Sequence, residues 1–172
     1  MEPEDLRVWI ERSSRLSAEF ERGFEARFGY PPGENRVLAA EGSGSDDLEE
    51  LTKLGVPTGL LDFYACVREV SLPDLGNGVF VHPAGHVVAG LLGALPTRLA
   101  GATEGRIIVF GSDGGGAMFA LRLACGAVHR LRGGSFLDGA YEADQQGTAV
   151  VAKDLREFLD GILRELEGQV LA

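Results

Sequence analysis

The densest pattern of apolar and turn-forming residues in this chain lies between residues 106 and 131. Residues 106–110 are a short run of β-branched and aromatic side chains, which favours a buried strand. A glycine-rich turn follows, and residues 118–123 and 128–131 predict two further strands. Because the connections are too short for the crossover that a parallel pairing needs, these strands predict an antiparallel meander.

Apolar residues at helical spacing predict helices before and after this meander. One apolar stripe runs through residues 4–28, and Gly29 is placed to end that helix. Shorter helices are predicted over residues 46–54 and 59–70. The clearest amphipathic pattern covers residues 153–167, where apolar side chains recur at three and four residues.

The segments between these elements are predicted to be loops and short elements. The segments are a connector (34–45), a short strand (79–81), a short buried helix (87–95), a polar loop (133–147) and an edge strand (148–151). Within the polar loop, Phe136 and Leu137 can pack inward.

Together the elements predict one α+β domain over residues 1–172, in which helices flank an antiparallel or mixed sheet with a central meander. A chain of 172 residues is long enough to bury a sizeable core as one domain. Residues 1–45 supply the N-terminal helix and the connector.

Negative charge is concentrated near the N-terminus. The formal net charge is −10, and residues 1–50 carry 13 acidic and 6 basic side chains. Asp46, Asp47, Glu49 and Glu50 form the densest acidic turn, which is ordinarily a solvated helix start favoured by the helix dipole. Such acidity argues against nucleic-acid binding and favours a basic protein partner.

The termini and cysteines indicate a cytoplasmic protein that does not enter a membrane. The first residues are acidic where a signal peptide is basic, and no apolar run is long enough to span a bilayer. Cys66 and Cys125 lack metal-site or redox spacing and are predicted to be buried, reduced thiols. A monomer and a weak homodimer through a sheet edge both remain open.

The glycine-rich turn invites a phosphate-binding interpretation. However, the segment lacks the lysine of a P-loop, and it leads into a predicted strand rather than a helix. We therefore expect a hairpin turn, in which Asp113 caps the loop amides and the glycines supply positive φ or close backbone approach. The residues concerned are Gly111, Asp113, Gly114, Gly115 and Gly116.

No pattern predicts catalysis or a bound cofactor. His82 and His86 have the spacing of two ligands on one helix face, but Pro83 and Gly85 interrupt any such helix and no third ligand is suitably spaced. His129 is expected on a strand, at the surface or as a satisfied, partly buried imidazole. We therefore predict no metal site, no catalytic residue and no enzymatic activity.

The order of these elements resembles the SUKH superfamily, the Smi/Knr-type domain of yeast cell-wall assembly regulators and their bacterial relatives. The resemblance covers about residue 46 to the C-terminus, and its most specific parts are the strand with its glycine-rich turn and the last helix. The segments that carry it are Trp9, Phe63-Tyr64, 71–74, Asn77-Gly78, 107–116, 150–152 and Glu157-Phe158-Leu159.

Membership of this family implies a non-catalytic α+β domain that binds proteins. Bacterial members look like immunity proteins that neutralise toxins, often nucleases, and yeast members look like regulatory scaffolds. The function expected here is toxin neutralisation, with Asp46, Asp47, Glu49 and Glu50 in the contact surface, and the alternative is an intracellular scaffold without a toxin partner. The glycine-rich segment is expected to shape the fold.

Overall fold

The computed structural model describes residues 1–40, 46–101, 104–142 and 147–171. The helices in these residues are α1 (Pro3–Phe28), α2 (Asp46–Lys53), α3 (Thr58–Cys66), α4 (Ala84–Ala89), which a π-turn (Gly90–Ala94) continues, and α5 (Leu155–Leu171). The strands are β1 (Arg36–Ala39), β2 (Val67–Leu72), β3 (Val79–Val81), β4 (Arg98–Leu99), β5 (Gly105–Ser112), β6 (Met118–Arg122), β7 (Val128–Leu131), β8 (Ser135–Leu137), β9 (Ala140–Glu142) and β10 (Thr148–Ala152).

Strand β5 is the centre of the sheet because it pairs with three other strands. β6 lies along one edge, whereas β3 and β4 share the other edge at the end and the start of β5. The sheet continues from β3 through β2 to β1, from β4 through β9 to β8, and from β6 through β7 to β10. Among the pairs described, β4–β9 is parallel and the rest are antiparallel. The predicted α+β class, with a mixed sheet and a β5–β6–β7 meander, is confirmed.

Side chains of β5 alternate between two hydrophobic clusters on opposite faces of the sheet. Ile108 and Phe110 join a large cluster to which α1, α3 and α5 contribute. Ile107 and Val109 join a small cluster, whose other fully buried members are Leu99, Ala120, Leu131 and Tyr141. The helices therefore cover one face of β5, and the extension through β4 and β9 helps to cover the other.

The long helix α1 packs against α5, as its apolar stripe predicts. Nε1 of Trp9 donates a hydrogen bond of 3.0 Å to the carbonyl oxygen of Leu159 in α5. Gly29 ends α1 with φ of 80°, a left-handed conformation that glycine adopts without strain. In the part of the chain that is described, no helix is both long and apolar enough to cross a membrane.

The predicted helix over residues 59–70 is wrong in its second half. α3 ends at Cys66, and Val67 already has extended φ and ψ of −118° and 123°. From there Val67, Val70 and Leu72 are buried while the residues between them are not, so this segment is strand β2. Its valines are β-branched and fit a half-buried pleated strand better than a helix. β2 also pairs with β1, a strand in what was predicted to be a connector.

The predicted loop over residues 133–147 contains the β8–β9 hairpin. Its strands have three residues each, which is too short for a hydrophobic period to show. Phe136 and Leu137 were expected to tuck in, but they are 45% and 71% exposed. The predicted α1, α2, β3, β5, β6, β7, β10 and α5 are present, with shifts of a few residues at some ends.

Candidate functional site

Helix α2 carries the acidic turn that the sequence singles out. Asp46, Asp47 and Glu49 are exposed, and none of them has an ion-pair partner among the residues described. Glu50 is half-buried, and its carboxylate lies 3.2 Å from Nζ of Lys53. The helix therefore presents three exposed carboxylates that form no ion pair with the residues described.

Several acidic side chains of the two long helices are paired instead. Asp5 of α1 binds Arg156 of α5, and Glu167 of α5 binds Arg12 of α1. Two further pairs, Arg7–Glu4 and Arg22–Glu19, join neighbouring turns of α1. Because these arginines offset the carboxylates beside them, unpaired negative charge is denser on α2 than along these helices.

An exposed leucine lies in the π-turn that continues α4, the helix on which α2 packs. Leu92, in the π-turn, is 67% exposed. Leu91 before it lines one cavity with Leu54, which follows α2. At the other end of α2, Asp47 lies against Gly85 of α4, where a Cβ atom would come within 2.9 Å of Asp47 Oδ2. The two helices and the π-turn are therefore neighbouring elements. We call the exposed side chains of Asp46, Asp47, Glu49 and Leu92 on these elements the α2 face.

The loop between β5 and β6 uses its backbone donors internally. Oδ1 of Asp113 accepts hydrogen bonds of 2.9 Å from the N–H groups of Gly115 and Ala117. The three other N–H groups donate to carbonyl oxygens: that of Asp113 to Ala117, that of Gly114 to Asn77, and that of Gly116 to Asp113. Since every amide from residue 113 to 117 is engaged, none is left to hold a phosphate group.

Close packing explains two of the glycines at this loop. A Cβ atom on Gly111 would lie 2.4 Å from the carbonyl oxygen of Phe80 in β3. On Gly114 it would lie 2.6 Å from the carbonyl oxygen of Asn77. Gly116 instead has φ of 83°, which favours glycine. The glycine-rich segment therefore lets the β5–β6 loop dock on the turn before β3.

Asp113 is a buried carboxylate with an arginine partner. Its side chain is 3% exposed, and Oδ2 accepts hydrogen bonds from Nε of Arg130, at 2.9 Å, and from Nη2. Burial alone would raise the pKa of this carboxyl group. The hydrogen bonds from Arg130, Ala117 and Gly115 and the charge of Arg130 outweigh burial, so the pKa lies below its ordinary value of 3.8. These contacts give Asp113 a structural role, since its carboxylate links the loop amides to Arg130.

A serine and two histidines meet beside the same loop. Nε2 of His82 and Oγ of Ser112 are 2.8 Å apart, and the His82 and His86 ring centroids are 4.4 Å apart. Burial, and then the charge of His86, lowers the pKa of His82 to about 4. Nδ1 of His82 is buried and has no hydrogen-bond partner among the described residues, so none of them orients this imidazole as in an activated nucleophile. No group of three potential metal ligands occurs within the described ranges.

The other histidine and the cysteines differ in part from expectation. His129 is 3% exposed, and its Nδ1 has no hydrogen-bond partner in the described structure, so the predicted surface or satisfied setting is wrong. Burial, followed by the charge of Arg122, lowers the pKa of His129. Cys66 is half-buried but Cys125 is exposed, because it lies in the turn between β6 and β7.

A pair of arginines that the sequence does not single out lines the cavity beside the α2 face. Arg98 of β4 and Arg106 of β5 are directly opposite each other. They face a cavity of about 230 Å³ together with Leu54, Leu91, Thr97 and Ile107. Neither arginine has an ion-pair partner in the residues that the structure describes. The β4–β5 register brings them together, and no periodicity in the sequence indicates that pairing.

No protein-family model and no curated protein matches this chain. The resemblance to the SUKH superfamily therefore stays a prediction.

Proposed function

We propose that this protein is a non-catalytic binding domain of the SUKH type, an immunity protein that neutralises a toxin with a basic surface, such as a nuclease. The observation that carries the proposal is the α2 face: three exposed carboxylates of α2 have no ion-pair partner among the described residues, and a leucine is exposed on the π-turn that continues the adjacent helix α4. The proposal assigns no reaction and no cofactor to the chain.

Electrostatics supports this choice of partner. A nuclease surface is basic because it meets phosphate groups, and opposite potentials steer two proteins together. The carboxylates of Asp46, Asp47 and Glu49 are free to bind arginine or lysine of the partner without first breaking an internal ion pair. Leu92 supplies an apolar contact of the kind found in the desolvated centre of an interface.

The first test is neutralisation. The toxin candidate is a protein encoded beside this one, produced in the same cells with and without this chain. Protection of growth, together with a one-to-one complex of the purified proteins, is expected for an immunity protein. If protection is absent and capture from the native cells recovers a constant multi-protein assembly, the scaffold alternative replaces this proposal.

The second test locates the contact. A variant with Asp46→Lys, Asp47→Lys and Glu49→Lys should associate with the toxin at least about tenfold more slowly, with a flatter dependence of the rate on salt. The matched control changes three other exposed acids, Glu2→Lys just before α1 and Glu11→Lys and Glu25→Lys within it, and alters the net charge by the same amount. Equal slowing in both variants would show that overall charge, rather than the α2 face, steers the encounter.

A third variant tests the apolar part of the α2 face. Leu92→Ala should raise the dissociation rate about fivefold or more, because a buried interface leucine would lose its contacts, and should leave the association rate nearly unchanged. Leu137→Ala is the control, since this leucine is also exposed but lies on β8.

A further inference from the structure

We propose that the cavity lined by Arg98 and Arg106 binds a small organic phosphate monoester. This is a second binding function, separate from the protein contact proposed for the α2 face.

The register of the sheet places the two guanidinium groups side by side. The N–H of Ile107 donates a 2.9 Å hydrogen bond to the carbonyl oxygen of Thr97, so Arg98 and Arg106 form the non-hydrogen-bonded pair between the flanking ladder bonds. Side chains of such pairs are the closest in an antiparallel ladder, with Cα atoms about 4.5 Å apart. Both arginines therefore start from neighbouring points on one face of the sheet.

The backbone beneath the pair is held firmly. Leu99 and Ile107, which follow the two arginines in β4 and β5, are each 1% exposed in the small hydrophobic cluster. Their burial anchors β4 and β5 beneath the two exposed arginines in the folded protein. Leu54 and Leu91 line the other side of the cavity, which is open to solvent.

Charge selects a dianionic ligand. Like charges directly opposite each other in a sheet are destabilising, and neither guanidinium has a carboxylate partner among the described residues, although the chain carries a net charge of −10. A phosphate monoester carries about −1.5 to −2 charges at pH 7 and can neutralise both arginines at once. A single carboxylate would neutralise one.

The shape and lining of the cavity select the rest of the ligand. Guanidinium groups present planar forks of N–H donors that match phosphate oxygens. Leu54 and Leu91 offer apolar surface to an organic substituent, which free phosphate lacks. The cavity volume of about 230 Å³ lies below the roughly 300–1,000 Å³ of sites for drug-sized ligands, so the ester is small.

A nucleic-acid phosphate is a less favoured ligand for this cavity than a small phosphate monoester. The arginine cavity adjoins α2, whose unpaired carboxylates repel a polyanion, and one arginine pair offers too few contacts to offset that repulsion. Binding of a nucleic acid is therefore an outcome against which the proposal is tested.

The test is titration of the ¹⁵N-labelled full chain at low ionic strength, followed through backbone amide shifts. The probes are glycerol 3-phosphate, inorganic phosphate, succinate and a single-stranded oligodeoxynucleotide. Glycerol 3-phosphate should bind most tightly and should shift the amides of residues 97–99 and 105–107. Absence of these shifts, or equal or tighter binding of any other probe, would overturn the proposal.

Variants assign the binding to the two side chains. Arg98→Gln and Arg106→Gln should each weaken glycerol 3-phosphate binding about tenfold, and Arg98→Lys, which keeps the charge but loses the fork, should weaken it less. Arg164→Gln is the control, because Arg164 is exposed on α5 and outside the cavity. The amide spectra also report whether each variant is folded. Unchanged affinity in both glutamine variants would refute the assignment.

Discussion

Asp113 is the side chain on which the β5–β6 loop depends. One carboxylate oxygen holds two loop amides and the other holds the guanidinium of Arg130. Removal of the carboxylate leaves these donors without their acceptor. Ala117 is buried, whereas the Arg130 side chain is 32% exposed and can regain water, so the cost lies between that of a surface ion pair and that of a fully buried one.

Asp113→Ala should therefore lower the free energy of unfolding by about 1–3 kcal/mol. Urea denaturation followed by circular dichroism measures the change. Asp160→Ala is the control, since Asp160 is exposed on α5, and it should stay within about 0.5 kcal/mol of the parent protein. A loss below about 1 kcal/mol for Asp113→Ala would mean that the loop holds its shape without the carboxylate.

The lowered pKa of His82 predicts that the protein loses stability on mild acidification. Its pKa falls from 6.5, the ordinary value, to about 4 in the folded protein. Between these pH values the unfolded chain binds a proton that the folded protein does not, so stability decreases as the pH falls from 6.5 to 4. In His82→Gln the plot of unfolding free energy against pH should be less steep in this window. Parallel plots for variant and parent would contradict the prediction. The variant should keep some slope, because the pKa of His129 is also lowered.

At the scale of elements, the sequence predicts those whose pattern is long enough to repeat. The stripes of α1 and α5 span several turns, and the meander strands are bounded by glycine-bearing turns. β1 and β4 have four and two residues, so neither alternation nor a turn signal identifies them. β8 and β9 are also too short to alternate, but the Asp138-Gly139 turn between them, with φ of 51° and 75°, is a hairpin signal that the prediction of a loop missed. β2 was missed because a helix runs into it without a turn between Cys66 and Val67.

The candidate sites show the same limit. The acidic run of α2 is contiguous in the sequence and was therefore visible before the structure. The π-turn with Leu92 comes near α2 only through the packing of α2 on α4, and Arg98 meets Arg106 only through the β4–β5 register. Contacts between distant segments depend on tertiary pairing, which a local pattern does not encode.

Substitution of alanine for two glycines in different elements should change the stability of the protein in opposite directions. In α5, a Cβ on Gly161 would meet no atom closer than Nη2 of Arg164 at 3.8 Å, so Gly161→Ala should stabilise the helix by about 0.5–1 kcal/mol. In β5, Gly111→Ala should destabilise the protein, because the new Cβ collides with the Phe80 carbonyl. Thermal unfolding measures both, and a lower melting temperature for Gly161→Ala would contradict the helix argument.

At the scale of the whole molecule, the sheet separates two hydrophobic clusters of unequal size. The large cluster joins α1, α3 and α5 to one face, whereas the small cluster rests on six fully buried residues from five strands. The outer strands β4, β8 and β9 have few other contacts, and α1 and α5 do not share the small cluster. We infer that the β4–β9–β8 extension can open while the rest of the protein stays folded.

Leu99→Ala tests this separation. Leu99 is 1% exposed in the small cluster, and its truncation should cost at least about 2 kcal/mol. Native-state hydrogen exchange should then be about 30-fold faster or more for amides of β4 and β9. Exchange in α1 and α5 should change much less. Leu159→Ala, in the large cluster, should instead accelerate exchange throughout the described helices and strands. If Leu99→Ala accelerates α1 and β4 equally, the two clusters unfold as one cooperative unit, and the arginine cavity is as stable as the core.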